Sequence, residues 1–197
     1  MRLTLPIALL VCGCCNKEAP AKADRPAPVA VKTTEPLTPP EPVKLPAPKT
    51  LADAVERARP LMADSVNKPD PGAAALAGVW QEKSYTWAEL SAVSETKIAL
   101  VAKDSDAERG KRLCTAGAIV EIAKVQPGIF HGRIMNDAVE VSTFYSVGST
   151  GTLVQKSSAR FCGIVTGRHS YGNAAGGTTH SVMLVGMFDL PENKAKK

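Results

Sequence analysis

Five cysteines and three histidines are the residues of this 197-residue chain best suited to chemistry. Cys12, Cys14 and Cys15 crowd into four positions near the start. Thiols so close together suit a metal site, a redox pair or a point of attachment. A structural zinc site takes four nitrogen or sulfur ligands, and neither a histidine nor a further cysteine lies nearby. Attachment is the reading that survives. Cys114 and Cys162 stand far apart, with no Cys-x-x-Cys pattern to suggest redox catalysis. Ser149, Ser157 and Ser158 lack the Gly-x-Ser-x-Gly setting of an activated nucleophile. Gly148-Ser149-Thr150-Gly151 lacks the lysine of a phosphate loop. Asp104 and Asp106 alternate as in a calcium loop, but Ala107 and Arg109 break that pattern, and a solvated turn is expected. No cofactor is expected, and an enzyme is the least supported class.

The elements that position the first cysteines are short. Arg2 supplies a positive charge, and Leu3 to Val11 is apolar apart from Thr4 and Pro6. A bilayer span needs roughly 20 apolar residues, so this run fits the apolar region of an export signal instead. Val11-Cys12-Gly13-Cys14 then resembles the lipobox of bacterial lipoproteins, with an aliphatic residue three before the modified cysteine and a small residue directly before it. The resemblance implies cleavage between Gly13 and Cys14, with residues 1–13 as signal peptide. Cys14 would carry the diacylglyceryl thioether and an N-acyl chain. Modifying Cys12 would put bulky Val11 before the cut, and modifying Cys15 would put Cys12 where an aliphatic residue belongs. Buried acyl chains contribute about 0.8 kcal/mol per CH₂, so several of them anchor firmly. The implied location is the bacterial cell envelope, facing the periplasm or the cell surface, with the outer membrane favoured over the inner.

Residues 14–49 then form a linker. Nine of the 32 residues from Glu18 to Lys49 are proline. Each removes a backbone donor and sets φ, so an extended polyproline-like spacer is expected. At about 3.1 Å per residue it reaches up to roughly 100 Å from the membrane. Residues 50–72 read as a short appended helix and a break. Thr50 can cap, and Leu51, Ala54, Val55, Ala58, Leu61 and Met62 recur at helical spacing, with Pro60 interrupting. Residues 73–109 read as a helical segment, with a capping box at Thr86 to Glu89. All nine aromatic residues lie between Trp80 and Phe188, which places the compact domain from near residue 75 to about 190. Residues 191–197 are a basic tail. From Trp80 onward, 14 Lys and Arg face 11 Asp and Glu. So near-neutral a domain does not suit nucleic acid.

After Gly110 five runs at 112–125, 128–135, 138–147, 159–169 and 179–188 are rich in Val, Ile, Thr, Phe and Tyr. Gly117, Gly163, Gly167 and Gly186 lie inside the longer ones, as the coiling of a small barrel requires. The expected class is mainly β with N-terminal helices. The run pattern over 110–190 resembles the OB-fold, a five-stranded Greek-key barrel; a β-sandwich is the alternative. The resemblance makes the first and fourth strands neighbours. Cys114 and Cys162 sit on those two strands, and an exported chain with two cysteines beyond its anchor invites a disulfide. OB-folds take ligands across their second and third strands and the loop between the fourth and fifth. That surface would hold Phe130, His131, Arg133, Phe144, Tyr145, Arg168 and Tyr171. A hairpin centred on Ala174 and Ala175 would set His169 opposite His180, the only candidate metal pair, and two ligands are too few for a site. The functional expectation is a membrane-anchored envelope lipoprotein with a binding module for an envelope protein or glycan. A purely structural envelope protein is the alternative.

Overall fold

The computed structural model describes residues 47–68, 70–172 and 176–195, all within one compact unit. The signal and lipobox, Cys14 and the linker as far as residue 46 lie outside the described residues.

Helix α1 (Leu51–Ala58) starts where Thr50 and Asp53 satisfy each other's backbone. The Thr50 hydroxyl accepts from the Asp53 N–H at 3.1 Å, and the Asp53 carboxylate accepts from the Thr50 N–H at 3.2 Å. Near Pro60 the helix tightens into a 3-10 turn over Arg59–Leu61, since proline has no N–H to continue the ladder. Helix α2 (Pro71–Lys83) is capped by the buried carboxylate of Asp70, which accepts from Gly72 and Ala73, each at 3.0 Å. The expected single helical stretch divides into three. α2 ends at Ser84 in a left-handed turn; α3 (Trp87–Ala92) begins at the Thr86–Glu89 capping box; α4 (Ile98–Lys103) follows an extended break. The alternating aspartates beyond it build a one-turn helix, α5 (Ser105–Glu108), in place of the expected open turn. Asp104 caps it, and Arg109 ion-pairs with Asp106 at 2.6 Å and with Asp64 at 3.0 Å.

The protein is mainly β. Strands β1 (Ser65–Val66), β2 (Arg112–Gln126), β3 (Ile129–Met135), β4 (Val141–Val147), β5 (Ser158–Gly172) and β6 (Thr178–Phe188) form one six-stranded mixed sheet, rather than the two sheets of the sandwich alternative. The five longer strands coincide with the five runs read from the sequence. They close into a ring. β2 pairs antiparallel with β3 and β5, β3 with β4, and β5 with β6, while β4 runs parallel to β6. β1, which the sequence did not reveal, adds to the edge of β5 in parallel, Ser65 opposite His169. A short helix, α6 (Pro191–Lys194), ends the described chain. Two of the interior glycines explain how long strands bend so closely: a Cβ on Gly117 would strike the Met135 carbonyl, and one on Gly186 the Cys162 carbonyl.

Alternation along the strands feeds two cores. Inside the ring, Leu113, Ile119, Ile134, Val165 and Leu184 surround three phenylalanines. Phe144 stacks on Phe161 at 4.8 Å, and Phe188 meets both edge-on at 5.2 and 5.1 Å. On the outer face, Tyr145, Ile164, Met183 and Val185 pack against Leu51, Val55, Met62, Leu76 and Trp80 of the helical part. β4 and β6 are thus buried on both faces; β6 accordingly reads as a near-continuous apolar run, while β4 buries Ser142, Thr143 and Ser146 among its apolar residues. The compact domain therefore reaches back past residue 75 to α1. Aromatics mark only part of a core: Leu51 is buried as completely as Trp80, and Val55 and Met62 are buried beside it. Across the β2–β5 ladder Cys114 faces Cys162, and the two form a disulfide with Cα atoms 4.1 Å apart.

Candidate functional site

Odd-numbered positions of β3 face outward, beside the helices. His131 and Arg133 lie there, and the ladder sets His131 against Tyr145 and Arg133 against Thr143 of β4. The His131 and Tyr145 rings approach to 5.0 Å. Glu121 of β2 faces Arg133 beside an irregularity in the β2–β3 register. Its carboxylate takes Nε at 2.8 Å and Nη2 at 2.7 Å, a two-pronged grip that fixes the guanidinium plane. Tyr171 reaches in from the far end of β5, and the Arg133 guanidinium lies 4.7 Å from its ring centre. His169 stacks on Tyr171, with ring centres 5.7 Å apart. Its Nδ1 shares a 3.0 Å hydrogen bond with Ser65 of β1.

Four of the seven residues expected on one ligand surface, His131, Arg133, Tyr145 and Tyr171, thus share the outer face. Three do not. Phe144 is wholly inside the ring. Phe130 alternates to the face opposite His131, and Arg168 to the face opposite His169. Glu121 and Ser65 join the group without having been singled out. Glu121 carried a usable signal: a charged residue inside the otherwise apolar stretch 118–123 needs a partner. Ser65 carried none, because its place depends on a two-residue strand.

His169 does not face His180. Val165 pairs with Leu184 as expected, but Thr166 is an extra residue, and beyond it the register moves by one. His169 pairs with Ser181 and Ser170 with His180, so the two imidazoles leave the arm on opposite faces. His180 Nδ1 instead lies 2.8 Å from Ser170 Oγ. Among the described residues no three His, Cys, Asp or Glu side chains converge as a metal ligand set.

The electrostatics of the outer face favour neutral imidazoles. Burial pushes the His131 pKa down against the opposing pull of Glu121, and the positive charge of Arg133 adds to the depression. His169 is likewise held down by burial and by Arg133. Glu121 is held below the usual carboxylate range by its hydrogen bonds from Arg133. Burial, followed by the nearby Asp70 charge, raises Tyr145. The result is a patch of flat rings, with His131, His169 and Tyr171 half-buried and Tyr145 buried beneath them, around one internally neutralised ion pair. Such a patch can stack on a ring or sugar face and exchange hydrogen bonds at its edges. Two serine–histidine contacts exist, Ser65–His169 and Ser170–His180, but among the described residues neither imidazole is hydrogen-bonded to a carboxylate that would orient it as a base.

Compared with known proteins, the chain matches no family model and no curated protein.

Proposed function

We propose that this chain is a lipid-anchored protein of the bacterial cell envelope that holds an OB-fold-like binding module on a proline-rich stalk. The observation that carries the reading is the Cys114–Cys162 disulfide. Such cross-links persist in oxidising compartments and are rare in the cytosol, so the bond agrees with the export signal and lipobox read at Cys14. The barrel reading is supported by ring closure and by the first long strand, β2, lying between the second and the fourth, β3 and β5. The binding reading is supported by the grouping of His131, Arg133, Tyr145 and Tyr171 on the outer face of β3, β4 and the β5–β6 arm. A neutral glycan or a flat envelope peptide suits that patch better than an anion does, because Glu121 already neutralises Arg133.

A structural envelope role is the second reading, favoured by the fact that Arg133, His169 and Glu121 already satisfy one another or the fold. Labelled palmitate separates the whole proposal from its failure: incorporation that Cys14→Ser abolishes is expected. An unlabelled chain recovered from the soluble fraction with Met1 intact would end it. Capture of cell-wall glycan by the full chain, lost in Tyr171→Ala, favours binding over the structural role.

A further inference from the structure

The face of the β5–β6 arm opposite His169 borders a cleft of about 310 Å³. Ile98 of α4, Val139 and Val141 beside the β3–β4 turn, and Arg168, His180 and Val182 of the arm line it. Arg168 pairs with Val182, and Ser170 with His180, so Arg168 and His180 are diagonal neighbours on one face.

Two independent features set this cleft apart. The first is its charge. Among the described residues Arg59, Arg109, Arg112, Arg133 and Arg160 each hold a carboxylate, whereas Arg57, which is exposed on α1, and Arg168 do not. Arg168 is half-buried, and its backbone N–H donates to Asp64 at 2.9 Å, yet its guanidinium has no ion pair or hydrogen bond among the described residues. Glu140, the one acid among the described lining residues, is engaged by Asn136 Nδ2 at 2.8 Å. Ser170 occupies Nδ1 of His180, which leaves the other ring nitrogen to a ligand or to water.

The second feature is backbone strain. Val139 has φ of 62° and is 72% exposed. A β-branched residue in the left-handed region is a genuine outlier, and such outliers cluster at ligand clamps. The turn enforces it: the Asn136 N–H donates to the Glu140 carbonyl at 3.0 Å, the Val139 N–H to the Asn136 carbonyl at 2.9 Å, and the Glu140 N–H to Asn136 Oδ1 at 2.9 Å. Glycine or asparagine would sit there without strain. Valine instead places an isopropyl group at the lip of the cleft.

We propose that this cleft binds a small aliphatic carboxylate. The guanidinium of Arg168 receives the carboxylate in its planar fork, His180 stands beside it, and the hydrocarbon lies against Ile98, Val139, Val141 and Val182. This site does not depend on the outer-face patch or on export. Sodium hexanoate titrated into the full chain, with 1-hexanol as the uncharged control, tests it by NMR of methyl and side-chain N–H signals. Saturable shifts at Val139, Val141 and Ile98 are expected with hexanoate. Arg168→Ala should weaken them at least tenfold, with Arg168→Lys in between. Among the described residues the Arg168 side chain has no partner, so an unchanged methyl spectrum of unliganded Arg168→Ala, away from the cleft, serves as the folding check. Equal affinity in Arg168→Ala, hexanol binding as tightly as hexanoate, or no saturable shift in the unmodified chain would each overturn the proposal.

Discussion

The guanidinium of Arg133 is held edge-on by both oxygens of Glu121 and face-on by the ring of Tyr171, 4.7 Å away. Glu121 and Arg133 are partners in the β2–β3 ladder, and the guanidinium ties that ladder to the far end of β5, which pairs with β6 there. The β5–β6 arm is held by this link together with the β1 pairing, the Asp64 carboxylate on the Arg168 N–H and the Thr143–Ser181 hydrogen bond.

Loss of that link should loosen the arm more than it unfolds the protein. The pair is partly exposed, so Arg133→Ala should cost only about 1 kcal/mol in denaturant unfolding. Amide exchange at Arg168–Gly172 and Thr178–Ser181 should nevertheless accelerate. Arg133→Lys should behave similarly, because an ammonium group has no planar fork for Glu121. Unaltered exchange in the arm would show that Arg133 is a bystander.

The disulfide should matter more. Its two cysteines are 48 residues apart in sequence, and closing such a loop stabilises by about 4 kcal/mol on the chain-entropy account. A Cys114→Ala/Cys162→Ala chain should unfold at much lower denaturant. Alkylation of unreduced, denatured protein followed by mass spectrometry should find no free thiol at either position. Two labelled thiols there would refute the cross-link.

Helix α1 should behave as core. Leu51 is buried against the same cluster as Trp80, so Leu51→Ala should cost about 2–5 kcal/mol. Leu61, in the turn just after α1, is 52% exposed, and Leu61→Ala should fall within about 0.5 kcal/mol. Equal effects of the two substitutions would mean that the helix is a loose appendage after all.

Stability should fall on mild acidification, and His131 should account for part of the slope. Its folded pKa is depressed below the unfolded value of about 6.5. The unfolded chain therefore binds the proton first. This contribution is complete above about pH 6.5 and is lost as pH falls toward the depressed folded value. His169 shares the same sign. His131→Phe should narrow the difference in melting temperature between pH 7.5 and pH 5.5. A difference as large as in the unmodified chain would assign the slope to other groups.

Much of this architecture is legible in local chemistry. Thr50 and Thr86 cap their helices because a hydroxyl and a carboxylate three residues on can satisfy each other's backbone. Pro60 ends α1 for lack of an N–H. The five long strands stand where β-branched and aromatic residues concentrate between glycine-bearing turns. The candidate site was legible only in part. Residue types at 131, 133, 145 and 171 pointed to a surface, but Phe130, Phe144 and Arg168 were assigned to it without knowledge of which way each strand faces.

Sequence by itself determined where α1 and α3 are capped, where the five long strands lie, and that two distant cysteines had reason to meet, because caps, periodicity and proline act over a few residues. Only the tertiary structure decided which face each side chain occupies. Thr166 adds one residue to β5 where Gly167 packs against the backbone of Ala63, a contact between segments about a hundred positions apart. Since the side-chain period of a strand is two, that single residue sends His169 to one face and His180 to the other.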